Sequence, residues 1–316
     1  IPNPWDAGSA KVLASLGFQA LATTSSGFSF TVGPHDGGVT LDRVIAHEEF
    51  FRIHSVAVAA GLPRGLPDIW DRERFHVILD HFQPAINETQ ALRQRKMREV
   101  AKAYDVRYFD DVLPGVIHRI ALEDYVLPGE LALGSDSHSC AWGALNCCGS
   151  GMGEHELAYG LVFGELWFKV PETIAVNLHG RLRPGVAAKD IALWLAGKFG
   201  TTFALYKSIE FRGEGASALS MDARITLSSH AVELGGKFGL FEFDDKSAEF
   251  LAARKRMRHQ LDWAKPVSAD PDARYVQTVD IDLSTLEPQV AKPHTFENVG
   301  DQEFRVVTVE LKNSPS

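Results

Sequence analysis

An α/β fold is predicted for this 316-residue chain from three observations. Glycine and proline cut it into alternating strand-like and helix-like pieces, short apolar runs end in polar residues such as Asp80-His81, and amphipathic stretches follow those runs. At this length, and with 45% of residues hydrophobic, the chain can bury a sizeable core shared by two or three domains.

The elements follow in order. In the first 47 residues Gly8, Gly17, Gly27, Gly33, Gly37 and Gly38 punctuate short apolar pieces such as Ala20-Leu21-Ala22, the pattern of a β-α unit opening a barrel. Phe75 to Leu79 reads as a buried strand delivering Asp80 and His81 at its carboxyl end, where ligand sites of open α/β sheets sit. Glu88 to Tyr104 has Leu92, Met97, Val100, Ala101 and Tyr104 near helical spacing, with basic residues around them on a solvated face. Val106 to Phe109 and Glu130 to Gly134 are the next strands, the second running into Asp136-Ser137-His138.

Gly149, Gly151 and Gly153 are expected to form a tight strand-to-helix turn before a helix reaching Trp167, since their spacing lacks the dinucleotide fingerprint. Ile174, Val176 and Leu178 alternate as a half-buried strand, and Val186 to Phe199 is a helix closed by Gly200. Ser220 caps a helix running to Glu233 and Leu234 and ended by Gly235-Gly236. Val276 to Leu283 and Phe304 to Leu311 return as strands, and a domain boundary is expected near Val170-Pro171.

A net charge of -9 leaves no basic field for phosphate backbones, so nucleic acid is not an expected partner. No apolar run approaches the roughly 18 residues of a membrane helix, and the amino terminus lacks a signal pattern, so no membrane partner is expected either. Cys140, Cys147 and Cys148 suit neither a disulfide framework nor a Cys-x-x-Cys site, which points to a reducing, cytoplasmic setting. The chain begins at Ile1 rather than Met, so a processed or incomplete sequence is expected.

Asp136-Ser137-His138 holds the residue types of a hydrolytic triad, but neighbours in an extended chain point in opposite directions and form no linear relay. Carboxylate-imidazole pairs suit instead a reaction that protonates a departing hydroxyl and later reverses that step. Asp80, His81, His118 and His138 are the candidates at strand ends or loop entries. His35, His47, His54, His76, His155, His179, His259 and His294 read as incidental, Glu154-His155-Glu156 as a solvated helix face, and Arg254 to His259 as a second basic surface face. The cysteines lack the spacing of a cluster motif and read as core.

Several phrases resemble one family: Leu79-Asp80-His81-Phe82, Gly115-Val116-Ile117-His118, Gly134-Ser135-Asp136-Ser137-His138-Ser139, Trp167-Phe168-Lys169-Val170-Pro171-Glu172-Thr173 and Ala188-Lys189-Asp190. Leu219-Ser220-Met221-Asp222, Ala231-Val232-Glu233-Leu234-Gly235 and Leu283-Ser284-Thr285-Leu286-Glu287-Pro288 continue it. In order and spacing they are similar to the aconitase, homoaconitase and 3-isopropylmalate dehydratase large subunits over roughly Asp68 to Asn298.

The resemblance implies layered αβα domains 1 and 2 of that family with its cluster domain absent. It also implies a hydro-lyase acting on a hydroxy di- or tricarboxylic acid, as in leucine biosynthesis, with a 4Fe-4S cluster as Lewis acid. Carried over, Asp80 pairs with His81, Asp136 with His118, and Glu233 with His138, and Ser137 joins the catalytic set. Arg119 stands where the family usually has Gln, and Ser229-His230 where Asn-Met is common. The family's cluster cysteines, in a Gly-Ser-Cys-Thr-Asn phrase and a later Cys-x-x-Cys, do not occur here. A small subunit or a cluster-domain subunit is therefore an implied partner, beside the small hydroxy-carboxylate substrate.

Asn3-Pro4-Trp5-Asp6-Ala7-Gly8-Ser9-Ala10 and Ala22-Thr23-Thr24-Ser25-Ser26-Gly27-Phe28 resemble instead the opening of the isocitrate lyase and phosphoenolpyruvate mutase superfamily. The expected division is residues 1–47 of that type, 48–171 and 172–298 as the first and second aconitase-like domains, and 299–316 as a tail. Two further functional expectations stand beside the hydro-lyase: an inert remnant or scaffold, and a carbon-carbon or carbon-phosphorus lyase acting through Trp5, Asp6 and Ser25.

Overall fold

The structure, a computed structural model, describes residues 38–47, 50–59, 68–112 and 114–288. The expected barrel-like opening, with Trp5, Asp6 and Ser25, and the strand at Phe304 to Leu311 lie outside those residues.

Two parallel sheets dominate. The first has the order β4-β3-β2-β5-β6, from β2 (Arg43–Ala46), β3 (Phe75–Ile78), β4 (Tyr108–Asp110), β5 (Leu131–Gly134) and β6 (Cys148–Gly151). All four neighbouring pairs are parallel. A separate antiparallel pair joins β1 (Gly38–Thr40) to β7 (Glu165–Trp167). The second sheet, β10-β9-β8-β11, is also parallel throughout and comprises β8 (Thr173–His179), β9 (Ser208–Arg212), β10 (Phe238–Phe241) and β11 (Gln277–Asp282). The α/β class is as the sequence led us to expect, and the strands within both sheets are parallel.

Alternation builds the layers of the first sheet. Val44, Ala46, Val77 and Leu133 face one core, shared with Met97 and Val100 of the Glu88–Ala103 helix and with Leu157 and Leu161 of the Glu154–Phe163 helix. Ile45, Ile78 and Ala132 face the other, where Ile117, Leu122, Tyr125, Trp142 and Leu145 pack. Strands covered on both faces read as near-continuous apolar runs. In the second sheet Ile174, Val176, Ile209 and Phe211 pack with Ile191 and Leu195 of the Ala188–Phe199 helix and Leu227 of the Met221–Ser229 helix.

Four local expectations need correction. Gly149 and Gly151 lie within β6, not in a turn. A side chain at Gly149 would strike the Ser139 carbonyl and Trp142, so glycine here lets the 3-10 segment Ser137–Leu145 lie against the sheet edge. The following helix stops at Phe163, closed by Gly164 at φ 69°, and Glu165–Trp167 becomes a strand because Gly38–Thr40 pairs with it. The helix after Ser220 ends at Ser229, and Glu233 sits in a separate 3-10 turn, Val232–Leu234. The basic stretch is a surface face except at its start: Lys255, Arg256, Arg258 and His259 are exposed, but Arg254 is 3% exposed and donates to the carbonyls of Leu122, Tyr125 and Val126, while Arg256 pairs with Asp110.

The chain runs outward from β2 to β3 and β4, then returns to β5 and β6 on the opposite side. That reversal leaves a crevice between the carboxyl ends of β2 and β5, the location where open α/β sheets bind ligands.

Candidate active site

Three strand ends and two helical segments meet at that crevice. β3 ends in Leu79-Asp80-His81; Asp80 Oδ2 accepts from the Ile117 backbone N–H at 2.7 Å, tying the strand end to the short helix Ile117–Ile120 that carries His118. β5 ends in Ser135-Asp136, and Asp136 caps the 3-10 segment by accepting from the His138 N–H at 2.8 Å.

Asp136 then serves two imidazoles. Its Oδ1 lies 2.9 Å from His118 Nε2 and its Oδ2 lies 2.9 Å from His81 Nε2. The other nitrogen of His81, Nδ1, lies 2.6 Å from Asp80 Oδ1. Ionised carboxylates only accept, so both His81 nitrogens carry protons and the ring is an imidazolium. Its pKa is raised to about 10, chiefly by the Asp136 hydrogen bond and then by Asp80, against the opposing effect of burial. For Asp136 burial works against the charge, but hydrogen bonds from His118 and His81, the His118 charge and the His138 N–H together hold the carboxyl well below its usual range.

The remaining pair is more open. His138 Nε2 lies 3.1 Å from Glu233 Oε1, and its Nδ1 lies 3.1 Å from Ser137 Oγ. His118 keeps one nitrogen in reserve: Nδ1 is buried and has no hydrogen-bond partner. Asp80, His81, His118, Asp136, Ser137, His138 and Glu233 are thus gathered at one edge, in the three pairs the resemblance implied. His81 bridging both Asp80 and Asp136 is an additional feature.

His47, read from sequence as incidental, also lies here. It follows β2 directly, its ring stacks on His81 with centroids 4.3 Å apart and planes at 26°, and its N–H donates to Ser135 Oγ at 2.9 Å. The available signal was the run Val44-Ile45-Ala46-His47, which repeats the apolar-then-polar pattern of Val77-Ile78-Leu79-Asp80.

Arg119 turns away from the site and pairs with Glu123 and Asp222. Ser229 accepts from the Cys140 thiol through its carbonyl, and His230 Nδ1 meets the Thr226 carbonyl at 2.7 Å.

The cysteines do not fit the family's 4Fe-4S cluster. Cys140 belongs to the core of the second sheet, Cys147 to one core of the first and Cys148 to the other. Burial pushes the Cys140 thiol up to about 12 and Cys148 to about 11, and raises Cys147 as well. Cluster ligation needs convergent thiolates, and these are three dispersed thiols. His47, His81 and Asp136 have candidate ligand atoms within 4.8 Å of one another. Their geometry is wrong for one ion, since stacked rings direct in-plane lone pairs along near-parallel planes and His81 Nε2 is already an N–H donor to Asp136. No helix among the described residues is long and apolar enough to cross a membrane.

Comparison with known proteins gives two family matches. The aconitase family (aconitate hydratase) matches residues 72–308, and phosphoenolpyruvate phosphomutase matches residues 1–82. The 3-isopropylmalate dehydratase large subunit of Moorella thermoacetica is 41% identical over 236 residues, 74% of this chain and 55% of that protein. The probable methanogen homoaconitase large subunit of Methanosarcina mazei is 38% identical over 245 residues, 77% of this chain and 61% of that protein. The chain thus spans little more than half the length of these relatives. The solved holo-form of Thermococcus kodakaraensis aconitase X shares 10% identity at a TM-score of 0.44, covering 78% of this chain and 58% of that one, a likeness too distant to bear on the site.

Proposed function

The chain belongs to the aconitase family, and from that premise we propose that its 316 residues form the acid-base wall of a hydro-lyase acting on a hydroxy di- or tricarboxylic acid. A cluster-bearing partner and a small subunit would complete the enzyme. The observation that carries this reading is Asp136 holding both His81 and His118 at 2.9 Å.

The two imidazoles suit different tasks. His81, with both N–H groups held by carboxylates, keeps its protons at neutral pH and holds Asp136 in the orientation that serves His118. His118 has Nε2–H oriented by Asp136 and a buried, unpartnered Nδ1; once uncovered by substrate binding, Nδ1 is the atom that exchanges a proton with the substrate oxygen while Asp136 stabilises the imidazolium. His138, aimed by Glu233, is a second contact for the substrate. The three dispersed cysteines give no footing for a cluster on this chain.

Homologues named as large subunits support the partner. Isopropylmalate and homocitrate-type acids are the substrate classes that their names suggest for this chain, and the cytoplasm is its proposed setting. The test is hydration and dehydration of isopropylmalate and citrate by the chain alone and with a cluster-bearing partner. Activity in a combination, falling about 10²- to 10⁴-fold in His118→Ala, is the expected result. No turnover with any partner, together with no carboxylate binding by the chain, would leave the inert scaffold instead. The phosphoenolpyruvate phosphomutase match keeps a carbon-phosphorus or carbon-carbon lyase as a second reading, tested by magnesium-dependent turnover of phosphonopyruvate and isocitrate.

A further inference from the structure

The match to phosphoenolpyruvate phosphomutase runs through residue 82, yet part of that stretch is structurally continuous with the site. β2 occupies the middle of the first sheet, pairing with β3 through Val44, Ile45 and Ala46 and with β5 through Arg43, Val44 and Ile45. Val44, Ile45 and Ala46 are wholly buried. The residue that leaves this strand at the crevice is His47, itself buried.

Among the described contacts, two orient the His47 ring. Nε2 lies 3.3 Å from the Ser135 carbonyl, which can only accept, so Nε2 carries a proton. One face of the ring covers His81. Asp80 and Asp136 hold His81 by its two nitrogens, which pins opposite edges of the ring, so tilting about the line between them is limited by groups on its faces; the Phe82 ring stands 6.4 Å off at 60°. The His47 ring on the face opposes that tilt, and an aromatic face against a cation is attractive.

We propose that His47 is a positioning residue for His81, holding the imidazolium between Asp80 and Asp136, and that the strand carrying His47 is an integral part of the hydro-lyase domain. The proposal deepens the reading above and rests on it for the use His81 is put to. Among the described residues, the titratable groups facing His81 are Asp80 on its own strand end, Asp136 from the end of β5 and His47 from the end of β2; His118 faces it across Asp136.

The experiment follows the imidazole nitrogens of His81 by NMR across a pH titration of the full chain labelled in histidine. In the unsubstituted chain His81 stays doubly protonated through neutral pH. In His47→Gln, which keeps a donor for the Ser135 carbonyl but has no ring, its midpoint falls by about one pH unit and its resonances broaden, the size expected of a cation-ring contact. His47→Phe, which keeps the ring, restores the midpoint. A folded His47→Gln chain with His81 unchanged in midpoint and linewidth would overturn the proposal, as would His47→Phe behaving like His47→Gln. Neither outcome depends on turnover, so failure of the activity assay and failure here remain separate results.

Discussion

Asp136 is one carboxylate shared by two imidazoles, and that sharing predicts a pH window. Its folded-state pKa lies below the ordinary 3.8, so the stability it contributes is present above about pH 4 and lost as the pH falls below that value. His81 is raised from 6.5 to about 10, so its contribution is complete below 6.5 and fades as the pH rises toward 10. Urea unfolding of the wild-type chain and Asp136→Asn across pH 3 to 10 should therefore show the largest difference between about pH 4 and 6.5. A difference that is flat with pH would contradict this. The three carboxylate-imidazole pairs were legible through the family phrases that contain them. His47 was not, because the glycine-punctuated run before it read as the opening of a barrel, and one histidine after four apolar residues says little until its strand has neighbours.

At the scale of elements, the sheet carries its charge inside. Arg43 on β2 is fully buried, donates to both Glu130 carboxylate oxygens at 2.9 and 2.6 Å, and reaches His76 on β3 and Gln260. Removing one partner leaves the other charge buried and uncompensated, at a cost of about 3 to 5 kcal/mol, whereas replacing both with apolar residues of similar volume is often neutral or stabilising. Arg43→Met and Glu130→Met should each lower the denaturation midpoint, and the double variant should recover most of the loss; a double variant as unstable as the sum of the singles would refute the pairing. Sequence pattern marked β3, β5, β8 and β11 because apolar alternation and flanking glycines announce strands. It missed β6 because a glycine-rich strand mimics a turn, and the need for glycine comes from the close approach of Ser139 and Trp142, a contact that local pattern does not announce. Arg254 was missed for a similar reason: its partners are backbone carbonyls around residue 125, which no composition reveals.

The whole molecule places its chemistry at the reversal of the first sheet, with the second parallel sheet contributing Glu233 across the crevice to His138. Site and architecture are thus one arrangement, and a deletion should show it. Removing residues 1–47 takes the central strand β2 and should abolish cooperative unfolding by circular dichroism. A cooperative transition in the shorter chain would show that β2 is dispensable. The parallel α/β class was legible from alternating elements alone; which strand takes the middle was not, since strand order is set by long-range packing.

β2 sits between β3 and β5 while lying within the stretch that matches a second family. A stretch that matches one family model is thus woven by hydrogen bonds into a sheet whose other strands lie in the match to another. Exchange of that strand among relatives would have to preserve registry with both neighbours, residue for residue, or forfeit the crevice it helps to frame.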